Sequence, residues 1–304
     1  MKSFIMLLEK KVKSVLNTHK SRDPWFLTEY SVNPYEGCSC NCLYCYIRGS
    51  KYGENMSEKS SVKVNALQVL EKQLQNEAKK NQYGFVAVGS ATDAYISQEE
   101  NYRMTQGFLQ LLLKYRFPVF ISTKRSLIRR DIPILKEIDR SAILPEDLRR
   151  SLGRGLILSV SISSMDERVS DMLEPGATPP LQRLELLREL KQHGFLAGVN
   201  AIPVLPYISD TDKELEKIIK TAKEYGADYI LVGGLTLFGN GIADSKTLYY
   251  KFLERLNPDL IVKYNKLYGA DDFAHRRYQG VLKKKANVLC AKHQIKNQIL
   301  NRWI

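Results

Sequence analysis

Several things are scarce or missing in this 304-residue chain. No stretch approaches the roughly 20 apolar residues that a bilayer-spanning helix needs. The N-terminal run Phe4-Ile5-Met6-Leu7-Leu8 gives way at once to Glu9, Lys10 and Lys11, and no small-residue cleavage site follows. That run is too short for the core of a secretory signal. Between Cys45 and Cys290 there is no cysteine, and four of the five fall within residues 38–45. Near neighbours cross-link little of a chain, which argues against a disulfide framework. The expected setting is a reducing cytoplasm with no membrane partner. Internal repeats and low-complexity segments are also missing. Long disorder is not expected, because hydrophobic residues make up 44% of the chain, enough to bury a core.

Acidic residues are missing from one place in particular. Residues 273–304 hold eight Lys/Arg and no acid, and residues 1–22 hold six Lys/Arg and one acid. The two ends carry the whole formal charge of +13, while residues 23–272 are neutral, with 32 charges of each sign. Basic ends on a neutral body fit a nucleic-acid partner or another anionic surface; solubilising tails are the simpler reading. The C-terminal end interleaves bases with aromatics: His275-Arg276-Arg277-Tyr278, then Lys283-Lys284-Lys285, Lys292, Lys296 and Trp303. Such mixtures suit phosphates and stacked bases. A basic helix packed by Val281, Leu282, Val288 and Leu289 is the alternative.

Hydrophobic periodicity predicts the elements. Residues 4–16 read as a short amphipathic helix through Ile5, Leu8, Val12 and Val15. Residues 31–37 read as a strand entering a Gly/Cys loop. Apolar strand-like runs follow at 84–89, 118–122, 155–163, 195–202 and 228–236. Helical patterns lie between them at 99–114, 132–138, 180–193 and 211–225. Six strands separated by helices imply right-handed βαβ units and a parallel sheet. A partial (β/α)6 barrel fits residues 31–240, with a basic arm over 1–30 and a helical, basic extension over 241–304. Residues 139–154 read as an inserted excursion. In such folds, chemistry gathers at the carboxyl ends of the strands.

The strongest chemical signal is Cys38-Ser39-Cys40-Asn41-Cys42-Leu43-Tyr44-Cys45. Read through Cys38, Cys42 and Cys45 it is C-x3-C-x2-C. Three thiolates on one loop can hold three irons of a [4Fe–4S] cube and leave the fourth open. A zinc knuckle that also uses Cys40, or inert thiols, are the other readings. The chain supplies no second C-x2-C or H-x3-H pair to complete a zinc ribbon.

With Tyr44 just before the last cysteine, this loop resembles that of the radical S-adenosylmethionine (SAM) superfamily. The wider run Asn33-Pro34-Tyr35-x-Gly37-Cys38 through Cys45-Tyr46-x-Arg48 resembles the branch related to spore photoproduct lyase, the DNA-repair-photolyase-like proteins. Stretches similar to that branch recur at 89–95, at Ser122-Thr123-Lys124 with Arg130-Asp131, at 173–177, and at Pro203-x-x-Pro206. The resemblance implies a TIM-like partial barrel in which Cys38, Cys42 and Cys45 bind the cluster. SAM chelates the open iron, and an external electron donor starts its cleavage to a 5′-deoxyadenosyl radical. That radical then takes hydrogen from a substrate. By position, Tyr44, Tyr46, Thr92, Asp93, Lys124, Ser161, Ser163 and Asn200 are the expected SAM-binding set. Each also has a plainer reading as a cap, a packing residue or a solvated lysine.

Spore photoproduct lyase returns hydrogen to its substrate through a cysteine at the end of the second strand. The matching position here is Ser90. A hydroxyl O–H bond is too strong for that role, so Cys40 and Tyr95 are the candidate donors, with packing as the alternative for both. The expected activity is hydrogen abstraction from a nucleic-acid base, in repair or modification, by another route than the lyase's cysteine. The same chemistry on a peptide or metabolite is one alternative. An iron–sulfur nucleic-acid-binding or electron-transfer protein without SAM turnover is another.

Overall fold

The computed structural model describes residues 6–50, 53 and 59–300. Its strands, in chain order, are β1 Met6–Lys10, β2 Asn17–Thr18, β3 Thr28–Val32, β4 Tyr35–Glu36 and β5 Lys59–Lys63. They continue with β6 Phe85–Val88, β7 Val119–Thr123, β8 Leu156–Ser161, β9 Leu196–Val204 and β10 Ile230–Gly234. The main sheet runs β2-β3-β6-β7-β8-β9-β10. Every pairing from β3 to β10 is parallel, and β2 adds antiparallel to β3. This is the expected six-stranded partial barrel. Its edges, β2 and β10, do not pair with each other.

Alternation along each strand sorts side chains onto two faces. Leu156, Leu158 and Val160 of β8 join the outer core beneath the helices, as do Val86 and Val88 of β6. The opposite face of β8 carries Ile157, Ser159 and Ser161. Ile157 meets Phe85, Phe120, Tyr229 and Leu231 from other strands, forming an apolar floor to the lumen. Above that floor the inner faces turn polar. The Tyr229 hydroxyl donates to the Leu158 carbonyl at 2.7 Å and pairs with the Ser159 hydroxyl at 2.8 Å. The excursion at 139–154 packs beneath this floor through the buried Leu148.

Three expectations near the N-terminus change. The first barrel strand, expected over 31–37, is β3 at Thr28–Val32, while Tyr35–Glu36 pairs with β5 in the second sheet. Residues 6–10 form a strand, not part of a helix, and pair parallel with β5. Downstream, the Val12 amide donates to Asn65 Oδ1 at 2.8 Å, and the amides of Val15 and Leu16 donate to Gln73 Oε1 at 2.9 and 3.0 Å. Distant groups thus take the hydrogen bonds that a helix would have made internally. Helical propensity is weak and tertiary context overrides it. Phe4 and Ile5 lie outside the described residues. Residues 6–30, expected as an arm, are tied to the body: Val15, Leu16, Leu27 and Tyr30 are buried. Arg22 bridges Glu29 and Asp147.

The helix Ala66–Lys79, which carries Gln73, had no counterpart in the sequence reading, although Ala66, Leu70 and Leu74 repeat every fourth residue and are buried. The C-terminal extension is helical over Ser245–Leu256, Asp259–Tyr268 and Arg276–Lys292.

Gln73→Ala removes the acceptor shared by two buried-residue amides. It is expected to destabilise the protein by about 1–3 kcal/mol, measured by urea unfolding, with Gln73→Glu milder.

Candidate functional site

The cysteine loop leaves β4 through Gly37, whose φ of +79° is glycine territory, and turns at Asn41 with φ of +51°. The turn is closed by bonds from the Asn41 amide to the Cys38 carbonyl at 3.2 Å and from the Cys45 amide to the Cys42 carbonyl at 3.3 Å. Arg48, itself buried, donates to the Cys42 carbonyl at 3.1 Å and to Asn41 Oδ1. From the opposite side, the Leu43 amide donates to the Leu173 carbonyl at 2.8 Å and the Gly176 amide to the Cys40 carbonyl at 3.1 Å. A Cβ at Gly176 would stand 1.8 Å from the Ser39 carbonyl oxygen. Only glycine lets the 173–177 turn lie this close, so the turn and the cysteine loop form one clamp.

Burial pushes the Cys42 and Cys45 thiols above their ordinary pKa. Cys40 is buried next to Cys38. Among the described residues, no three His, Cys, Asp or Glu side chains converge as ligands of one ion. Three thiols on one short loop are the donor chemistry of a [4Fe–4S] cube, which takes one iron per thiolate.

Beneath the loop lies a buried charge network. Glu174 and Arg183, with side chains 2% and 1% exposed, form an ion pair. Arg183 also donates to the Ser161 carbonyl at 2.5 Å and the Thr178 carbonyl at 2.5 Å. The Tyr44 hydroxyl donates to Glu174 and lies 2.7 Å from the Ser163 hydroxyl. Lys124 Nζ donates to Ser161 Oγ at 2.7 Å, stands 3.9 Å from Glu174, and lies 5.8 Å from the Tyr44 ring centroid. Burial pushes the Glu174 carboxyl up, but Lys124, Arg183 and the Tyr44 hydroxyl outweigh it and hold the group below the ordinary carboxylate range. Burial works against the Lys124 charge, yet Glu174 and the neighbouring thiols keep its pKa above normal. A fixed ammonium thus sits beside the cysteine loop, held by Glu174 and Ser161.

The expected residues separate into groups. Tyr44, Lys124, Ser161 and Ser163 meet in this network. Asp93 is structural as placed. Its carboxylate accepts from the Tyr95 amide and Thr123 hydroxyl, each at 2.8 Å, and from the Lys124 amide at 2.7 Å, so it aims Lys124. Thr92 donates to the Gly37 carbonyl at 2.9 Å and anchors the start of the cysteine loop. Asn200 donates to Ser122 Oγ at 3.2 Å across the lumen, while its buried Oδ1 has no hydrogen-bond partner. Such an orphan acceptor is unusual, and a hydroxyl or amine of a bound nucleoside would satisfy it.

Tyr46 and Ser90 form a separate pair. The Tyr46 hydroxyl, on a side chain 48% exposed, donates to the Ser90 carbonyl at 2.7 Å, and Asn33 donates to the Ser90 hydroxyl at 3.0 Å. Tyr95 stands apart from both groups. It is fully buried in the outer core, with Glu99, Arg130 and Asp131 as its charged neighbours. Glu174 and Arg183 were not singled out from the sequence, although an acid inside Leu173-Glu174-Pro175-Gly176 was a usable signal.

Residues 32–222 match the radical SAM superfamily. The chain belongs to that superfamily. Radical SAM proteins use a [4Fe–4S] cluster and SAM, and Cys38, Cys42 and Cys45 are the residues here that would hold the cluster. An uncharacterized protein of Mycobacterium tuberculosis H37Rv is 28% identical over 272 residues, covering 88% of this chain and 75% of its own. A radical SAM Nalpha-GlyT isomerase of Pseudomonas phage M6 is 23% identical over 210 residues, 69% of this chain and 40% of that protein. Spore photoproduct lyase, solved with bound AdoMet and dinucleoside spore photoproduct, superposes with a TM-score of 0.66 at 14% identity. That match covers 94% of this radical SAM chain and 79% of the lyase. At that identity the likeness speaks for the fold.

Replacing Cys38, Cys42 or Cys45 by Ala is expected to abolish cluster assembly, whereas Cys40→Ala retains it; iron and sulfide counts after anaerobic reconstitution decide. Glu174→Gln strands Arg183 and should cost about 3 kcal/mol of stability at neutral pH. Because the Glu174 pKa is lowered in the folded state, its contribution is present above the unfolded glutamate pKa and lost as pH falls through the folded value. The stability gap between wild type and Glu174→Gln should therefore narrow in acid, as followed by thermal melting at several pH values.

Proposed function

We propose that this radical SAM protein takes hydrogen from a nucleic-acid base, in repair or modification, by a route that does not return hydrogen through a cysteine at position 90. When bound, the cluster and SAM supply the hydrogen-abstracting species. The chain's own residues bind, orient and exclude water. Lys124, steadied by Glu174 and Ser161, pairs an anionic group, and the apolar floor closes the lumen from below. Ser90, where the lyase has a thiol, offers only a hydroxyl that is already hydrogen-bonded to Asn33.

The observation that carries the substrate reading is the pattern of unpaired charge on the helix Arg276–Lys292. Lys285 pairs with Asp212 and Lys292 with Glu216. Arg276, Arg277, Lys283 and Lys284 are exposed and, among the described residues, make no ion pair. Arg276 and Lys283, and Arg277 and Lys284, are each seven residues apart, about two helical turns, which sets the two adjacent pairs along one side of the helix. Local acids thus neutralise part of the basic end and leave a cationic strip, the footprint of a phosphate-backbone partner. An external electron donor completes the reaction.

Reconstituted protein with SAM and a reductant should release 5′-deoxyadenosine, and DNA or RNA should raise the yield. An intact cluster that releases none would leave an electron-transfer or binding role. Release stimulated only by peptides or metabolites would sink the nucleic-acid substrate. Neutralising all four strip cations should cut the salt dependence of nucleic-acid binding by about 4 in log–log slope.

A further inference from the structure

A cleft at the open seam of the barrel is built from both sides of the gap. Ile202, Gly233 and Gly234 come from β9 and β10, Phe273 and Gln279 from the C-terminal extension, and Trp25 from the turn before β3. Arg276, the first residue of the cationic helix, and Asp271 also line it. The seam is where β10 finds no further strand.

The cleft is shaped with unusual care for a surface feature. Asp23 Oδ1 accepts from the amides of Trp25 and Phe26, both at 2.8 Å, and fixes the turn that presents Trp25. Trp25 is 42% exposed and Phe273 is 58% exposed, so two large aromatic surfaces are left wet beside each other's cleft wall. Phe273 is steadied edge-on by Phe238, with ring centroids 5.9 Å apart. Gly234 lacks a side chain where a Cβ would stand 2.5 Å from the Gln279 carboxamide. The carboxamide is thereby admitted against the strand. Among the described residues it makes no hydrogen bond, leaving both a donor and an acceptor open.

Aromatic surfaces, a free carboxamide and a guanidinium in one cleft match the three parts of a nucleotide. Flat bases stack on aromatic rings. A carboxamide reads a base edge through paired donor and acceptor. A guanidinium at a helix start holds phosphate. Asp271 repels phosphate, which sets the polarity: phosphate at the Arg276 end, and base or sugar donors toward Asp271. We infer that this cleft receives one unstacked nucleotide of a single strand, with Trp25 and Phe273 as stacking surfaces, Gln279 as the base-reading residue and Arg276 as the phosphate contact. The inference rests on the nucleic-acid reading above and specifies its binding site.

The chain holds two tryptophans, Trp25 and Trp303, and Trp303 lies outside the described residues. Full-length, cluster-loaded Trp303→Phe protein therefore reports on Trp25 alone. Anaerobic titration with short single-stranded DNA and RNA homopolymers should quench Trp25. Trp25→Ala and Phe273→Ala should each weaken binding about tenfold. Arg276→Ala should reduce the salt slope by about 1, and Gln279→Ala should flatten the preference among bases without changing that slope. Comparing the DNA and RNA arms identifies the sugar. Salt-dependent binding with unmoved Trp25 emission, and full affinity in Trp25→Ala, would overturn the cleft while leaving the nucleic-acid reading intact. If the parent protein binds neither polymer at low salt, the cleft and the reading fail together.

Discussion

A carboxylate buried between two cations organises the active end of this barrel. Charges removed from water are tolerated only when they are paired and hydrogen-bonded, and Glu174 meets that condition through Arg183, Lys124 and Tyr44. The same contacts join four separate stretches: the cysteine loop, the end of β7, the β8 strand and the helix Pro180–Gln192. Loosening any one of them leaves a charge unsatisfied in the interior. The network therefore makes the position of Lys124 a property of the fold, not of one flexible side chain. Asp93 adds to this from below by accepting the Lys124 amide.

The superfamily's thiol motif and the six sheet-forming runs were plain in the linear chain. The runs are short and apolar because most strands are buried on both faces, and the thiols stand out because cysteine is rare elsewhere. The first strand of the barrel came out displaced: the sheet pairs over 28–32, while Tyr35–Glu36 joins the small second sheet. The N-terminal strand was hidden because its partner lies some fifty residues on, at Lys59–Lys63. Glu174 and Arg183, nine residues apart on either side of a proline-rich turn, meet only once that turn folds. Trp25 and Gln279 looked ordinary for a similar reason. Their meaning comes from a cleft that neither segment forms alone.

Charge was informative in a different way. The total of +13 described neither the interior nor the surface accurately. Part of the C-terminal excess is spent on Asp212 and Glu216, which dock the helix against its neighbour. On the helix Arg276–Lys292 the remaining cations are those that face solvent. At the N-terminus, Arg22 is likewise committed, to Glu29 and Asp147. Counting charges identified where to look, and pairing decided which of them are available to a partner.

The lumen floor has a consequence for how the chain assembles. It gathers Leu27 from the first strand region, Leu148 from the excursion, Tyr229 from the last strand and Ile299 from the final described turn. The Ile230 amide also donates to the Lys296 carbonyl, so the start of the last strand's outer edge is met by the segment that follows the helix Arg276–Lys292. Successive strands pair as neighbours and can add one after another during synthesis. The floor cannot, because one of its members, Ile299, comes well after the last strand, β10. Until that later segment folds back, the base of the barrel lacks part of its apolar closure.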